Sequence, residues 1–399
     1  MSLEEEIEMT GGSNTKQSER NALNAGFSRR GFHKLASLLA AGAALPFYNE
    51  RALAQLSMVH NMPPDAVKIN ANENPMGPCP EAAEAIHAIV QKGGRYLYEE
   101  TFAMASTLAE QEGVKFSNNP RESYAQAFAG SSDPLHRAVL AFCSKDRPFV
   151  VGDPGYEAGG RAAQFIGAPV INVPLVKGTG AHDVKAMAAA HATPGVIYVC
   201  NPNNPTGTIT AKADVEWLVE NKPAGSIILL DEAYIHLSQN AVMSSYLVAA
   251  DKDVIILRTF SKLYGMAGLR AGAVLARPDL LQKMNVYTAG ALPVTAMVGA
   301  NASLKSKTVI AERRATIAAI RNDTMEFLDK NKIEFLPSEA NMIMMNVKRP
   351  GREFYEAMAK HKVYIGRVWP SWPTWVRVTV GTRDDMAKFR EAAAQCFNA

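Results

Sequence analysis

Five short aliphatic runs, separated by stretches of helical spacing, constrain this chain more than any other feature. They are Phe149–Val151, Val196–Val199, Ile227–Leu230, Val254–Leu257 and Ala273–Leu275. None alternates apolar with polar residues, so each strand is apolar on both faces. That suits a sheet covered by helices above and below. Helical segments such as Asp133–Cys143 and Ala211–Asn221 lie between them. The alternation predicts an α/β large domain with a mostly parallel sheet, over 96–288. Past about residue 290 the rhythm changes. A helix over Thr308–Asp329 leads to a strand (Asn341–Val347), a helix (Glu353–Lys360), a strand (Trp375–Val380) and a helix (Asp384–Phe397). This order predicts a smaller C-terminal α+β domain over 289–399. Residues 55–95 form an N-terminal segment, expected to associate with the small domain and a dimer contact, Pro-rich and closed by a helix that stops at Gly93-Gly94.

With 47% hydrophobic and 20% charged residues in 399, the composition is globular and excludes a disordered chain, a coiled coil or a collagen-like fibre. Lys and Arg total 42 against 39 Asp and Glu, so no basic stripe for nucleic acid is expected. The four cysteines, Cys79, Cys143, Cys200 and Cys396, fit no zinc spacing and no disulfide framework, and no metal site is expected. Cys143 and Cys200 read as buried packing residues.

Residues 1–54 read as an address. Ser28-Arg29-Arg30-Gly31-Phe32-His33-Lys34 precedes a charge-free run, Leu35 to Pro46, and Ala52-Leu53-Ala54 offers a small-x-small cleavage site before Gln55. The apolar run falls short of the roughly 20 residues a membrane span needs, so no stable membrane anchor is expected. The order of features is that of a signal peptide, and the paired arginines resemble a twin-arginine signal. The expectation is transient engagement of the twin-arginine machinery and export, to the periplasm, after cleavage near Ala54. A cytosolic amphipathic helix with a chance Arg-Arg is the alternative.

The chemistry-bearing motifs follow strands. Thr259-Phe260-Ser261-Lys262 comes directly after Val254–Leu257, with Arg270 eight residues beyond Lys262. Hydroxyls and a guanidinium can hold a phosphate, and a lysine amine can form a Schiff base with an aldehyde. A helix cap followed by a surface lysine would read the same way. Asp231, in Asp231-Glu232-Ala233-Tyr234, ends another strand, where sheets of this kind bind ligands. It can pair with a protonated pyridine nitrogen or simply cap a helix. Asn201-Pro202-Asn203-Asn204-Pro205-Thr206-Gly207 is either a plain turn or an amide placed to donate to a phenolate oxygen. Gly130-Ser131-Ser132-Asp133 is either a helix cap or a helix start that holds an anion.

Together these residues resemble pyridoxal-phosphate enzymes of the aspartate-aminotransferase fold, fold type I, from about Asn70 to the C-terminus. The likeness is to the histidinol-phosphate aminotransferase subfamily. It is carried by Asn70-Ala71-Asn72-Glu73-Asn74-Pro75, Arg95-Tyr96, the Asn201–Gly207 run, Asp231–Tyr234, the Thr259–Lys262 and Gly268-Leu269-Arg270 pair, and Arg377-Val378-Thr379-Val380-Gly381-Thr382. The resemblance implies pyridoxal 5'-phosphate as cofactor and ping-pong transamination between an amino acid and a 2-oxo acid. Lys262 would carry the Schiff base and shuttle the proton. Asp231 would pair with the pyridine nitrogen, Asn204 and Tyr234 would bond the ring oxygen, and Tyr156 would stack on the ring. Ser131, Ser132, Thr259, Ser261 and Arg270 would cradle the phosphate. Tyr96 would reach the phosphate of a neighbouring subunit, making the active unit a homodimer to which segment 55–95 contributes. Arg377 would grip the substrate carboxylate, assisted by Asn341.

Two stretches depart from the likeness or go beyond it. Leu56–Pro64 lacks the Tyr-x-Pro-Gly element of histidinol-phosphate enzymes, so a phosphate-bearing substrate does not carry over. Trp369, Trp372 and Trp375 fall within seven residues, near Arg367. They read either as small-domain packing or as an indole wall for an aromatic or extended substrate, and Arg367 either as a contact for a substrate acid group or as a surface ion pair. Decarboxylation, elimination or oxidation on the same cofactor is the alternative activity. An exported binding protein on an inactive scaffold is a third reading, opposed by the intact Lys262 and Asp231.

Overall fold

The computed structural model describes residues 62–288 and 290–398. The expected leader, with Arg29-Arg30 and the site after Ala54, lies outside them, as does most of the stretch before Pro63.

Strands are numbered in chain order. β1 (Val67–Ile69) belongs to the N-terminal segment. β2 (Ala125–Phe128), β3 (Phe149–Asp153), β4 (Val170–Pro174), β5 (Val196–Cys200), β6 (Ile227–Asp231), β7 (Val254–Thr259) and β8 (Gly272–Ala276) follow. β9 (Met342–Asn346), β10 (Val363–Ile365) and β11 (Trp375–Thr379) come last. β2 to β8 build one seven-stranded sheet in the order β2-β8-β7-β6-β5-β3-β4. The run from β4 to β7 is parallel. The strand expected over Ala273–Leu275 is present as β8 but runs antiparallel to both neighbours, β7 and β2.

β5 to β8 are buried at every residue, which explains their unbroken aliphatic runs. Helices such as Ser132–Phe142 and Lys212–Asn221 connect the strands. Within this sheet, the two strands not expected from the sequence are its edges. β4 exposes part of its length, and β2 is only four residues long.

The C-terminal elements lie close to their expected bounds, with helices at Val309–Lys330, Gly351–Lys360 and Arg383–Asn398. β9 and β11 pair antiparallel, setting Arg377 opposite Met344. β1 crosses from the N-terminal segment to pair in parallel with β10. Helix Val294–Lys305 packs on Pro80–Ile89 and Tyr98–Glu112. All four cysteines are buried and unpaired. Among the described residues no helix is long and apolar enough to cross a membrane.

Candidate active site

The carboxyl ends of β5, β6 and β7 open into one cleft. Adjacent parallel strands end there on Asp231 and on the Thr259–Lys262 turn, where such sheets place ligands. Asp231 is buried. Its Oδ2 accepts from the Tyr198 hydroxyl at 2.8 Å and its Oδ1 from the Ala233 amide at 3.1 Å. Burial pushes its carboxyl up to about 6; the Tyr198 hydrogen bond and the Lys262 charge pull the other way without cancelling this. A cation beside Asp231 would relieve that cost. Lys262 Nζ donates to the Asn72 carbonyl at 3.1 Å and stands 5.6 Å from the centroid of the Tyr234 ring. The Tyr234 phenol is pushed up by burial.

On one side of these residues lies an anion cradle. Ser131 and Ser132 open the helix Ser132–Phe142, whose first amides point out of the helix end. Thr259 Oγ1 donates to Ser261 Oγ at 3.0 Å, and Arg270 Nη1 reaches the same Ser261 Oγ at 3.5 Å. Arg270 has φ 64, a left-handed conformation uncommon for its type and typical of functional sites. A Cβ at Gly130 would lie 2.2 Å from Arg270 Nη2, so only glycine leaves room for that guanidinium. Hydroxyls, helix-start amides and a fixed guanidinium fit a phosphate.

Elsewhere in the cleft stands Arg377, 4% exposed. Its Nη1 donates to Asn204 Oδ1 at 2.8 Å and its Nη2 to the Asn70 carbonyl at 2.7 Å. Nε is buried with no partner. Burial first, then the neighbouring Arg367 charge, pull this guanidinium down to about 10. Because Asn204 spends its carbonyl on Arg377, its NH₂ group is left to donate elsewhere.

Ser131, Ser132, Tyr156, Asn204, Asp231, Tyr234, Thr259, Ser261, Lys262, Arg270 and Arg377 all line this cleft. Two expected site residues do not. Tyr96 is 70% exposed and stacks on Tyr98, ring centroids 5.5 Å apart. Asn341 is buried behind Asn72 and donates to the Asn72 and Glu73 carbonyls at 3.2 and 3.3 Å. Trp369 is buried beneath the arginines, with its indole N–H on the Gly155 carbonyl at 2.9 Å. The Arg367 and Arg377 guanidinium carbons lie 4.6 and 5.5 Å from its ring centroid. Arg367 lines the cleft and is paired with Glu157. Sequence reasoning missed Tyr198 and Asn72. The one available sign for Tyr198 was a polar tip inside an otherwise apolar strand.

The family described as "Aminotransferase class I and II" matches residues 64–392. The chain is 32% identical over 336 residues to the histidinol-phosphate aminotransferase of Moorella thermoacetica, covering 82% of this chain and 84% of that one. It is also 32% identical over 320 residues to the aromatic amino acid aminotransferase of Rhodococcus jostii, covering 80% and 87%. In fold it matches the histidinol-phosphate aminotransferase of Sinorhizobium meliloti, solved in complex with pyridoxal-5'-phosphate, at TM-score 0.74 and 23% identity over 83% and 90% of the two chains. With the lysine, aspartate and phosphate cradle gathered in one cleft, the chain belongs to the class I and II aminotransferases, enzymes that move an amino group by means of pyridoxal phosphate.

Proposed function

We propose that this aminotransferase takes the amino group of a carboxylate-bearing amino acid and passes it to a 2-oxo acid, with pyridoxal phosphate held in the cleft. When bound, the cofactor supplies an aldehyde that captures the amino group and a cationic ring that withdraws electrons from the bond to the α-hydrogen. The chain's residues do the rest. Arg270, Ser261, Thr259 and the Ser131–Ser132 helix start would hold the phosphate. Asp231 would keep the pyridine nitrogen protonated, Tyr156 would cover the ring, and Asn204 and Tyr234 would donate to the ring oxygen. Lys262 Nζ would hold and move the α-proton of the substrate. Arg377 fixes the carboxylate, which orients the α-hydrogen for transfer.

The observation that carries this reading is Arg377. It is a buried cation whose partners, Asn204 and Asn70, are uncharged, and its Nε has none. A planar carboxylate satisfies such a group. Arg367 lines the same cleft; its Nη2 is paired with Glu157, and its Nε and Nη1 are buried without a partner. An α-carboxylate, which every amino acid carries, is the anion this reading places at Arg377, in accord with the aromatic amino acid aminotransferases among the relatives.

Arg377→Ala removes two charge-assisted hydrogen bonds to the substrate, about 3–5 kcal/mol in all. The expected result is a KM for α-amino acids raised on the order of 100- to 1,000-fold, with the affinity for pyridoxal phosphate within a few-fold of the parent. Steady-state kinetics and cofactor titration measure both. Unchanged KM, or a parent that accepts histidinol phosphate far better than any amino acid, would contradict the assignment.

The residue roles imply a homodimer in which Tyr96 serves the neighbouring site. The outward-facing Tyr96–Tyr98 stack supports it. The β1–β10 pairing supports assigning segment 55–95 to the small domain. Export through the twin-arginine route to the periplasm is proposed from the leader sequence alone.

A further inference from the structure

Asn72 sits where three parts of the chain meet. It lies in the N-terminal segment, it is 1% exposed, and its backbone is left-handed at φ 53, a conformation asparagine tolerates better than most residues. In that conformation its carbonyl receives Lys262 Nζ at 3.1 Å, while its side chain faces the small domain and the large-domain tyrosine together. Thr379 Oγ1 accepts from the Asn72 backbone N–H at 2.9 Å and donates to Asn72 Oδ1 at 3.0 Å. The Thr379 hydroxyl at one end of the amide and the Met342 sulfur, an acceptor, at the other agree on which end is oxygen. The NH₂ end is thereby aimed at Tyr234 Oη, 3.1 Å away, and at Met342 Sδ, 2.7 Å away.

A phenol has one proton. If Tyr234 Oη accepts from Asn72, its own proton is left to be donated into the cleft that Tyr234 lines. Hydrogen bonds in such a chain strengthen one another. We propose that Asn72 is a positioning residue that acts through Tyr234: its amide sets the direction of the Tyr234 proton, so that the tyrosine donates to the cofactor's ring oxygen. The chain runs from Thr379, two residues from Arg377 on β11, through Asn72 to Tyr234. The small-domain strand that grips the substrate carboxylate is thus wired to the group that tunes the cofactor. This rests on the cofactor lying in the cleft as proposed above.

The test is a pH titration of the visible absorption band of the pyridoxal-phosphate-loaded full chain, without substrate. Donation to the ring oxygen stabilises its anionic form, so weakening that donation must raise the midpoint. Asn72→Gly keeps the left-handed backbone and the carbonyl for Lys262 but removes the amide. Asn72→Asp keeps the shape but offers Tyr234 an acceptor, drawing its proton away from the cofactor; it also serves if the glycine variant fails to fold. The midpoint is expected to rise by about 0.5–1 pH unit in Asn72→Gly and further in Asn72→Asp. On a Tyr234→Phe background, Asn72→Gly is expected to add nothing, because the hydroxyl it acts through is gone. Midpoints of both variants equal to the parent's, or the same shift with and without the Tyr234 hydroxyl, would overturn the inference alone. A parent that forms no visible band with pyridoxal phosphate would overturn the proposed function and the inference with it.

Discussion

Among single residues, Asp231 is held against its own preference. Its folded-state carboxyl sits near 6 against an ordinary 3.8, first because it is buried. Between those values the folded protein holds more protons than the unfolded chain. The stability that protonated Asp231 contributes is therefore present at low pH and lost as pH rises through about 6. Asp231→Asn should stabilise the cofactor-free protein at pH 8 by about 1–3 kcal/mol, with the gain vanishing below pH 4. The same variant should bind pyridoxal phosphate more weakly. Thermal melts at the two pH values check this, and an equal gap at both would contradict it. Asp231, Lys262, Asn204 and Arg377 were legible in the sequence because each stands in a compact motif at or beside a strand. Tyr198 and Asn72 were not. Tyr198 meets Asp231 across 33 positions and Asn72 meets Tyr234 across 162, and no local pattern records such a meeting.

Between elements, β6 and β7 are tied to the helix Tyr98–Glu112 by a buried ion cluster beneath the cleft. Arg258 on β7 forks onto Glu112, with Nε–Oε1 at 3.1 Å and Nη2–Oε2 at 3.0 Å, and also pairs with Glu232, the residue after Asp231. Burial pushes Glu112 up, but the Arg258 charge and hydrogen bond outweigh it and hold the group low. Arg258→Ala would leave two buried carboxylates facing each other without a cation. The expected loss is about 3–5 kcal/mol, read from the denaturant midpoint; a loss under about 1 kcal/mol would show that the cluster contributes no more than a surface pair. Element by element, the interior strands were readable because burial on both faces forces unbroken aliphatic runs. β4 was not, since an edge strand can carry polar residues. β1 and β10 were not, because three residues apiece leave too short a pattern.

For the whole molecule, the cleft is assembled from three distant parts of the chain. The sheet supplies Asp231 and Lys262, the small domain supplies Arg377, and the N-terminal segment supplies Asn70 and Asn72. The α/β class and the C-terminal α+β domain were readable from the order of elements. The way the N-terminal segment is built into the site was not, because it depends on contacts across about 300 positions. All three parts must cooperate for an amino group to change carriers, so the decisive measurement is a single half-reaction. Purified protein loaded with pyridoxal phosphate is mixed with one amino acid at a time, without any 2-oxo acid, and the cofactor and product are identified by mass. The account predicts one equivalent of pyridoxamine phosphate and one of the matching 2-oxo acid, and neither from Lys262→Ala. Carbon dioxide, free ammonia or peroxide in place of pyridoxamine phosphate, or full conversion by Lys262→Ala, would contradict it.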